Sequence, residues 1–411
     1  MTRERLRSLY ICYLSLDDPL VHTQVLAYLR GLAAAGHEIH LLTFETGRLE
    51  RWRRRRLRES LAGDGIRWYG LRYHKRPSLP ATVFDVVAGA LYATAIVLKH
   101  DLDVLHARSH VPAAMAMIAQ RLLGRRRPAL IFDVRGLMAD EYVDAGRWQP
   151  GGLPFRITKW VERVALRRAD GVVVLTERTR RSLFGDGERP SVFVIPCCAD
   201  LDALERGSAD RARIRAELDL QEELVMTYVG KFGGWYMADR MAEFFAVAQE
   251  RFESLHFMIL TQSDRIEIER ELQRHGADGR FTIASVPPEL VGGYLAAADF
   301  GISFIAPAPS KASSSPTKIG EYLGAGLPVL STSGVGDLDE LLTPDVAVLV
   351  ATHSDEFYRR AWEQMLELVR GGAARDRCRE LASARLSLRD VGIPRYLELY
   401  EFVLRTRIAG S

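Results

Sequence analysis

Lys318 stands among residue types that hold an anion. The string Ser313-Ser314-Ser315-Pro316-Thr317-Lys318-Ile319-Gly320-Glu321 predicts a loop running into a helix. Ser315 is a natural N-cap, and Pro316 suits the first helical position. A helix start presents N–H groups and partial positive charge, to which Lys318 adds a full charge. Such a start can hold a phosphate or diphosphate through Ser313, Ser314, Ser315, Thr317 and Lys318. One turn on, Glu321 offers a carboxylate to sugar hydroxyls on the same side. The plainer alternative is an ordinary capped helix, ended in left-handed conformation by Gly326.

A second anion loop is predicted at Gly230-Lys231-Phe232-Gly233-Gly234, directly after the apolar run Val225–Val229. It combines one cation with three glycines. Neither Gly-x-Gly-x-x-Gly nor a Lys-Ser/Thr P-loop ending is present there, and Ser15-Leu16-Asp17-Asp18 follows the first strand. Both facts argue against a dinucleotide or P-loop site.

Two further groups close strands in the first half. In His106-Ala107-Arg108-Ser109-His110, Arg108 could meet an anion, and His110 could act as base or donor. The competing reading is two histidines packing a loop. Asp133-Val134-Arg135-Gly136 is either a structural ion pair or, with Asp140 and Glu141 nearby, a set of acceptors for sugar hydroxyls. Gln24 on the first helix joins His106 and His110 on the predicted acceptor side. Asp101/Asp103, Asp200/Asp202 and Asp337/Asp339 have Asp-x-Asp spacing, which can hold a divalent cation. Solvated turn carboxylates are the preferred reading, so no metal is expected.

Positioning these groups requires alternating strands and helices. Leu9–Leu14, Ile39–Phe44, Val104–His106, Ala129–Val134, Gly171–Leu175 and Val192–Pro196 read as buried strands separated by helices. A second series comprises Val225–Val229, Phe257–Leu260, Phe281–Ile283, Phe300–Phe304 and Val329–Ser331. Short apolar strands joined by helices imply parallel sheets covered on both faces. Ligands of such sheets sit beyond the carboxyl ends of the strands. The predicted class is α/β, with two doubly wound domains at 1–203 and 204–389. An amphipathic helix within 390–411 is expected to pack back on the first.

The 411 residues suit two domains. A net charge of +3 is too small to argue for nucleic acid. Cys12, Cys197, Cys198 and Cys378 have no metal-ligand spacing, and a reducing cytoplasm is the simplest setting. The N-terminus is charged and runs into a strand, unlike a signal peptide. Val83–Leu98 contains Asp85 and reads as a buried helix rather than a membrane span. The runs Arg51–Arg58 and Arg125–Arg127 are either solvated faces or contacts to acidic lipid headgroups, which would place the chain peripherally at a membrane.

These residues carry a family resemblance. Glu321-Tyr322-Leu323-Gly324-Ala325-Gly326-Leu327-Pro328-Val329 resembles the Glu-Ala-Met-Ala-x-Gly-x-Pro-Val signature of glycosyltransferase family 4. Val194-Ile195-Pro196 to Asp200, Val229-Gly230-Lys231, Asp103–Ala107 and Ala298-Asp299 resemble further motifs of that family, in order along the chain. The resemblance implies the GT-B fold, with two Rossmann-like domains facing a central cleft. It also implies retaining, metal-independent transfer of a sugar from a nucleotide donor. The acceptor would be a glycan, a glycolipid or a small molecule, in cell-surface polysaccharide or glycoconjugate assembly.

By the same resemblance Glu321 binds the donor ribose. Lys231 stands for a diphosphate-binding Arg, and Ser313 falls where the family has its first Glu. A family Lys falls near Tyr236, and Lys318 could supply its charge. Where the family often carries a catalytic His, this chain has Asp133 and Arg135. A nucleotide-sugar 2-epimerase and a silent nucleotide-sugar-binding partner remain as alternatives.

Overall fold

The computed structural model describes residues 5–47, 50–187, 189–277 and 279–409. The chain divides into two compact units. One runs to Pro196 and takes up the chain again at Gly392; the other is Cys197–Val391. The change from one to the other falls directly after Ile195-Pro196, ahead of the polar Asp200–Leu220 stretch. That stretch forms two short helices, Leu201–Gly207 and Arg211–Glu217, within the second unit.

The first unit holds seven parallel strands: β1 Arg7–Cys12, β2 Glu38–Glu45, β3 Ile66–Arg72, β4 Val104–Arg108, β5 Ala129–Asp133, β6 Gly171–Val174 and β7 Val192–Val194. Their order is β3-β2-β1-β4-β5-β6-β7. The central strands are buried along their whole length, as apolar runs covered on both faces must be. The second unit holds β8 Leu224–Val229, β9 Leu255–Leu260, β10 Phe281–Ala284, β11 Phe300–Ser303, β12 Val329–Thr332 and β13 Ala347–Val350. Their order is β10-β9-β8-β11-β12-β13, again parallel. β3 and β13 were not anticipated. Both are edge strands; Arg67, Gly70 and Arg72 break the apolar run of β3, whereas β13 is a continuous but short one with Leu349 half-buried.

Each sheet reverses its strand order once, between β1 and β4 and between β8 and β11. At such a switch point the connections leave in opposite directions and open a crevice beyond the strand ends. The last helix, Ile393–Ala409, belongs to the first unit and packs on the Ala27–Ala34 helix and β6.

Two expectations fail locally. The 317-helix starts at Thr317, with Pro316 in the capping place and no side-chain cap. Ser315 is not the N-cap; its hydroxyl accepts the Cys197 N–H at 3.0 Å. Nor is Val83–Leu98 a buried helix. It lies within Ser78–His100, whose small inner residues Ala81, Gly89, Ala90 and Ala93 pack inward. Asp85 is buried with them, and its carboxylate accepts from the Tyr13 hydroxyl at 2.7 Å and bonds the His74 ring at 2.6 Å. Ile96 and Val97 are buried as well, while Val83, Phe84, Val87, Leu91, Tyr92 and Leu98 face outward.

Candidate functional site

In the second unit the switch point is built by the segments that follow β8 and β11. Trp235 O accepts the Ala306 N–H, and the Met237 N–H donates to Phe304 O, so the two segments pair antiparallel around Tyr236 and Ile305. Before this pairing the chain turns through Gly230, Gly233 and Gly234, all with positive φ. Gly230 at +114° is a conformation that side chains other than glycine rarely adopt. Its missing Cβ leaves room for Lys318 Nζ, which would lie 3.5 Å from that atom.

The Thr317–Gly324 helix is fixed here by Tyr322. Its ring lies flat on β11, where a Cβ on Gly301 would approach ring carbons to 2.4 Å. Its hydroxyl accepts the Val229 N–H at 2.9 Å and donates to Ile302 O at 3.3 Å, so it spans the two switch-point strands. One turn earlier on the same helix, Lys318 is buried. Its ammonium sits over two rings, 3.6 Å from the Tyr236 centroid and 3.9 Å from that of Tyr228. Among the described residues, Lys318 Nζ has no hydrogen-bond acceptor.

Two aromatic faces partly compensate such a cation. They do not replace the oxygen atoms an ammonium loses on leaving water. Burial therefore holds Lys318 well below the usual lysine range, against the pull of Glu321. Glu321 is half-buried; desolvation pushes its carboxyl up, and Lys318 opposes the rise.

The neighbouring donors are only partly as the sequence suggests. Ser314 N–H is spent on Lys311 O at 3.1 Å, and the Ser313 hydroxyl donates to Ser310 O at 2.7 Å. Pro316 has no N–H. Ile319 N–H is spent on Pro316 O at 3.1 Å, so the backbone donors offered at the head of the helix are those of Ser315 and Lys318, fewer than the run Ser314–Thr317 implied. Lys231 is exposed, and its carbonyl accepts the Tyr228 hydroxyl at 2.5 Å.

Sequence reasoning missed three contributors. Tyr228 and Tyr236 seat Lys318, and Lys311 places its ammonium 3.9 Å from the Trp235 ring centroid. The available signal was the alternation of aromatics with glycines in Tyr228–Tyr236.

In the first unit the residues at the switch point converge on Gln24. Arg108, at the end of β4, and Arg135, just beyond β5, each donate a guanidinium N–H to Gln24 Oε1 at 2.9 Å. Arg108 Nε is buried without an acceptor among the described residues. Arg135 takes a left-handed conformation at φ 56°, which turns its side chain back toward Asp133, 3.8 Å away. Asp133 is fully buried and accepts the Tyr396 hydroxyl at 3.0 Å. Burial alone would raise its pKa, but Arg135, His106 and Arg108 outweigh this and hold it low.

His106 is also fully buried. Its Nδ1 bonds the Tyr400 hydroxyl at 3.0 Å, and desolvation keeps the ring neutral into acid. His110 is buried on Glu162 at 3.0 Å. The packing alternative describes both histidines, whereas Gln24 lies with the arginines.

The Asp-x-Asp pairs have other work. Asp101 and Asp103 clamp Arg7, Asp200 caps the Leu201–Gly207 helix, Asp202 pairs with Arg389, and Asp339 accepts the Gly334 N–H. Glu38, His40 and His100 lie within 4.8 Å of one another. Tyr69 bonds both rings, and Glu38 and Arg67 bond one each. A separate concavity lined by Leu342, Asp345, Leu368 and Arg377 brings none of the candidate residues together.

Comparison with solved structures identifies the architecture. A glycosyltransferase from Rickettsia africae ESF-5 superposes with a TM-score of 0.73 at 13% identity, covering 98% of this chain and 99% of that one. Sucrose-phosphate synthase from Thermosynechococcus elongatus gives 0.73 at 17%, covering 99% and 100%. Anabaena HepE in complex with UDP and glucose gives 0.68 at 14%, covering 99% and 100%. The chain has the GT-B fold. Residues 21–198 match the glycosyl transferase 4-like domain family. No curated protein sequence matches the chain significantly. In this GT-B chain the family match lies on the unit with the Gln24–Arg108–Arg135 cluster, and the Lys318 cluster lies beyond it.

Proposed function

We propose that this protein is a retaining glycosyltransferase. It would move a sugar, a hexose in our reading, from a nucleotide-diphosphate donor to a hydroxyl acceptor, without a metal or other cofactor. The observation that carries the reading is the Lys318 ammonium, buried on Tyr228 and Tyr236 with no acceptor among the described residues. A donor diphosphate would supply the missing oxygens. Lys231 and the N–H groups of Ser315 and Lys318 would hold the same anion, with Gly230, Gly233 and Gly234 shaping the loop, and Glu321 would meet the donor ribose. As the glycosidic bond breaks, negative charge grows on the leaving phosphate, and fixed cations lower that barrier. The acceptor hydroxyl attacks from the face the phosphate leaves, and the phosphate takes its proton.

Arg108 and Arg135, held on Gln24, would position the acceptor, with Asp133 fixing Arg135. UDP-containing structures of Anabaena HepE, and an E. coli structure bound with UDP-2-fluoro glucose, share the fold and support a uridine donor as the first to try. The acceptor we favour belongs to cell-surface polysaccharide or glycoconjugate assembly. The setting we favour is the cytoplasm.

Calorimetric titration of UDP-glucose and other nucleotide sugars, followed by acceptor assays, tests this. Lys318→Ala and Lys231→Ala should each lower turnover about 10²-fold. Full activity in both would reject the assignment. A second reading is favoured by Ser313, whose hydroxyl is committed to Ser310 O instead of offering a carboxylate to a donor sugar. In that reading the chain binds nucleotide sugar without transferring it. Tight donor binding with no product over a broad acceptor panel would support it.

A further inference from the structure

The Ser78–His100 helix is apolar on both its inner and its outer face. Outward at helical spacing stand Val83, Phe84, Val87, Leu91, Tyr92 and Leu98, each 49–59% exposed. The helix packs along His110–Leu123, and that helix along Leu153–Arg168, as one layer over β1, β4 and β5. The apolar surface continues across this layer through Ile118 and Leu122, then Ile157 and Trp160. A patch this continuous marks an interaction surface.

Exposed charge within the three helices is all basic, with Asp101 and Asp170 exposed just past the ends of two of them. Lys99, Arg121, Arg156, Arg163, Arg167 and Arg168 are exposed. The acidic side chains of the three helices, Asp85 and Glu162, are both buried and bonded. Arg125, Arg126 and Arg127 follow the second helix and are exposed. An apolar face with Trp and Tyr and a predominantly basic surround is complementary to anionic headgroups over acyl chains.

The helix is long and apolar enough to cross a membrane. Its inner side, however, carries the buried Asp85 bonded to Tyr13 and His74 and is part of the first unit's core. We infer that it lies flat instead, and that the layer of three helices is a docking surface for an anionic lipid bilayer. The Arg51–Arg58 run is not part of it, because its helix packs on β3. This surface stands independently of the reading of the nucleotide site.

Flotation of the full chain tests the inference. Vesicles of phosphatidylcholine alone are compared with an equal mixture of phosphatidylcholine and phosphatidylglycerol. The wild type should float with the mixed vesicles and stay at the bottom with the neutral ones. Arg121→Glu with Arg156→Glu should lower partition about tenfold or more. Phe84→Ser with Leu91→Ser should do the same at unchanged charge. Both variants change exposed side chains, and circular dichroism checks their fold.

A third arm needs neither variant. The four native cysteines are buried, so Leu91→Cys can be labelled with a polarity-sensitive dye, whose emission should shift to the blue only on mixed vesicles. No flotation of the wild type, equal flotation of all variants, or an unshifted dye overturns the inference. So does a wild-type dimer that becomes monomeric in Phe84→Ser/Leu91→Ser, which would seat a second copy of the chain on this face.

Discussion

The Tyr396 hydroxyl donates to Asp133 Oδ2 at 3.0 Å across 263 positions of sequence. The last helix thereby supplies a wall of the polar cluster at the end of β5, and Tyr400 on the same helix holds His106. Removing the hydroxyl leaves a buried carboxylate short of a donor. Tyr396→Phe should cost about 1.5–3 kcal/mol, the range for hydrogen bonds to charged groups. Urea unfolding measures it, and a loss below 0.5 kcal/mol would show that Asp133 finds another donor (about the floor for a neutral bond).

Lys318 sets function against stability. Its ammonium is favoured in water and disfavoured over Tyr228 and Tyr236, so its charge weakens the fold at neutral pH. Lys318→Met keeps the apolar stem and removes the charge. The variant should melt at least as high as the wild type, by about 2–4 °C per kcal/mol relieved. It should also lose the stabilisation that saturating nucleotide sugar gives the wild type. A lower melting temperature, with binding retained, would place the value of Lys318 in packing.

Acid should unfold the protein before its carboxylates titrate. Burial lowers His106, and it brings His256 to about 4, where Arg215 and Arg280 also disfavour the charged ring. The unfolded chain accepts these protons near pH 6.5 and the folded chain refuses them until lower pH. Stability is therefore full above about pH 6.5 and falls as pH drops toward the folded values. Melting curves between neutrality and pH 4 should show it, and His256→Gln should flatten part of the slope.

Gly301 and Tyr322 form one fitted contact. Gly301→Ala would place a Cβ 2.4 Å from the Tyr322 ring. Overpacking of this kind costs about 1–3 kcal/mol. Because the same ring anchors the Lys318 helix on β8 and β11, donor affinity should fall along with the melting temperature. A stability loss without an affinity loss would separate the anchor from the site.

The α/β architecture was legible in the sequence because buried parallel strands are continuous apolar runs, as in Leu9–Leu14 and Ala129–Val134. The Lys318 segment was legible because small polar residues, Pro and Lys before an apolar helix are local signals. The edge strand β3 was not, since Arg67 and Gly70 break its apolar run, whereas the four residues of β13 are a continuous apolar run that is legible but short.

What the sequence determined alone is the series of elements and the residue types at their ends. Tertiary structure decided which of those residues became partners. Lys318 is a solvated cation by its local sequence; it becomes a buried one only because Tyr228, on another strand, and Tyr236 close over it. Ser315 reads as a cap until Cys197 takes its hydroxyl. The apolar helix Ser78–His100 reads as buried until the core of the first unit takes only one of its two apolar faces. Burial and pairing are sums over contacts distant in sequence, and local spacing carries no record of them.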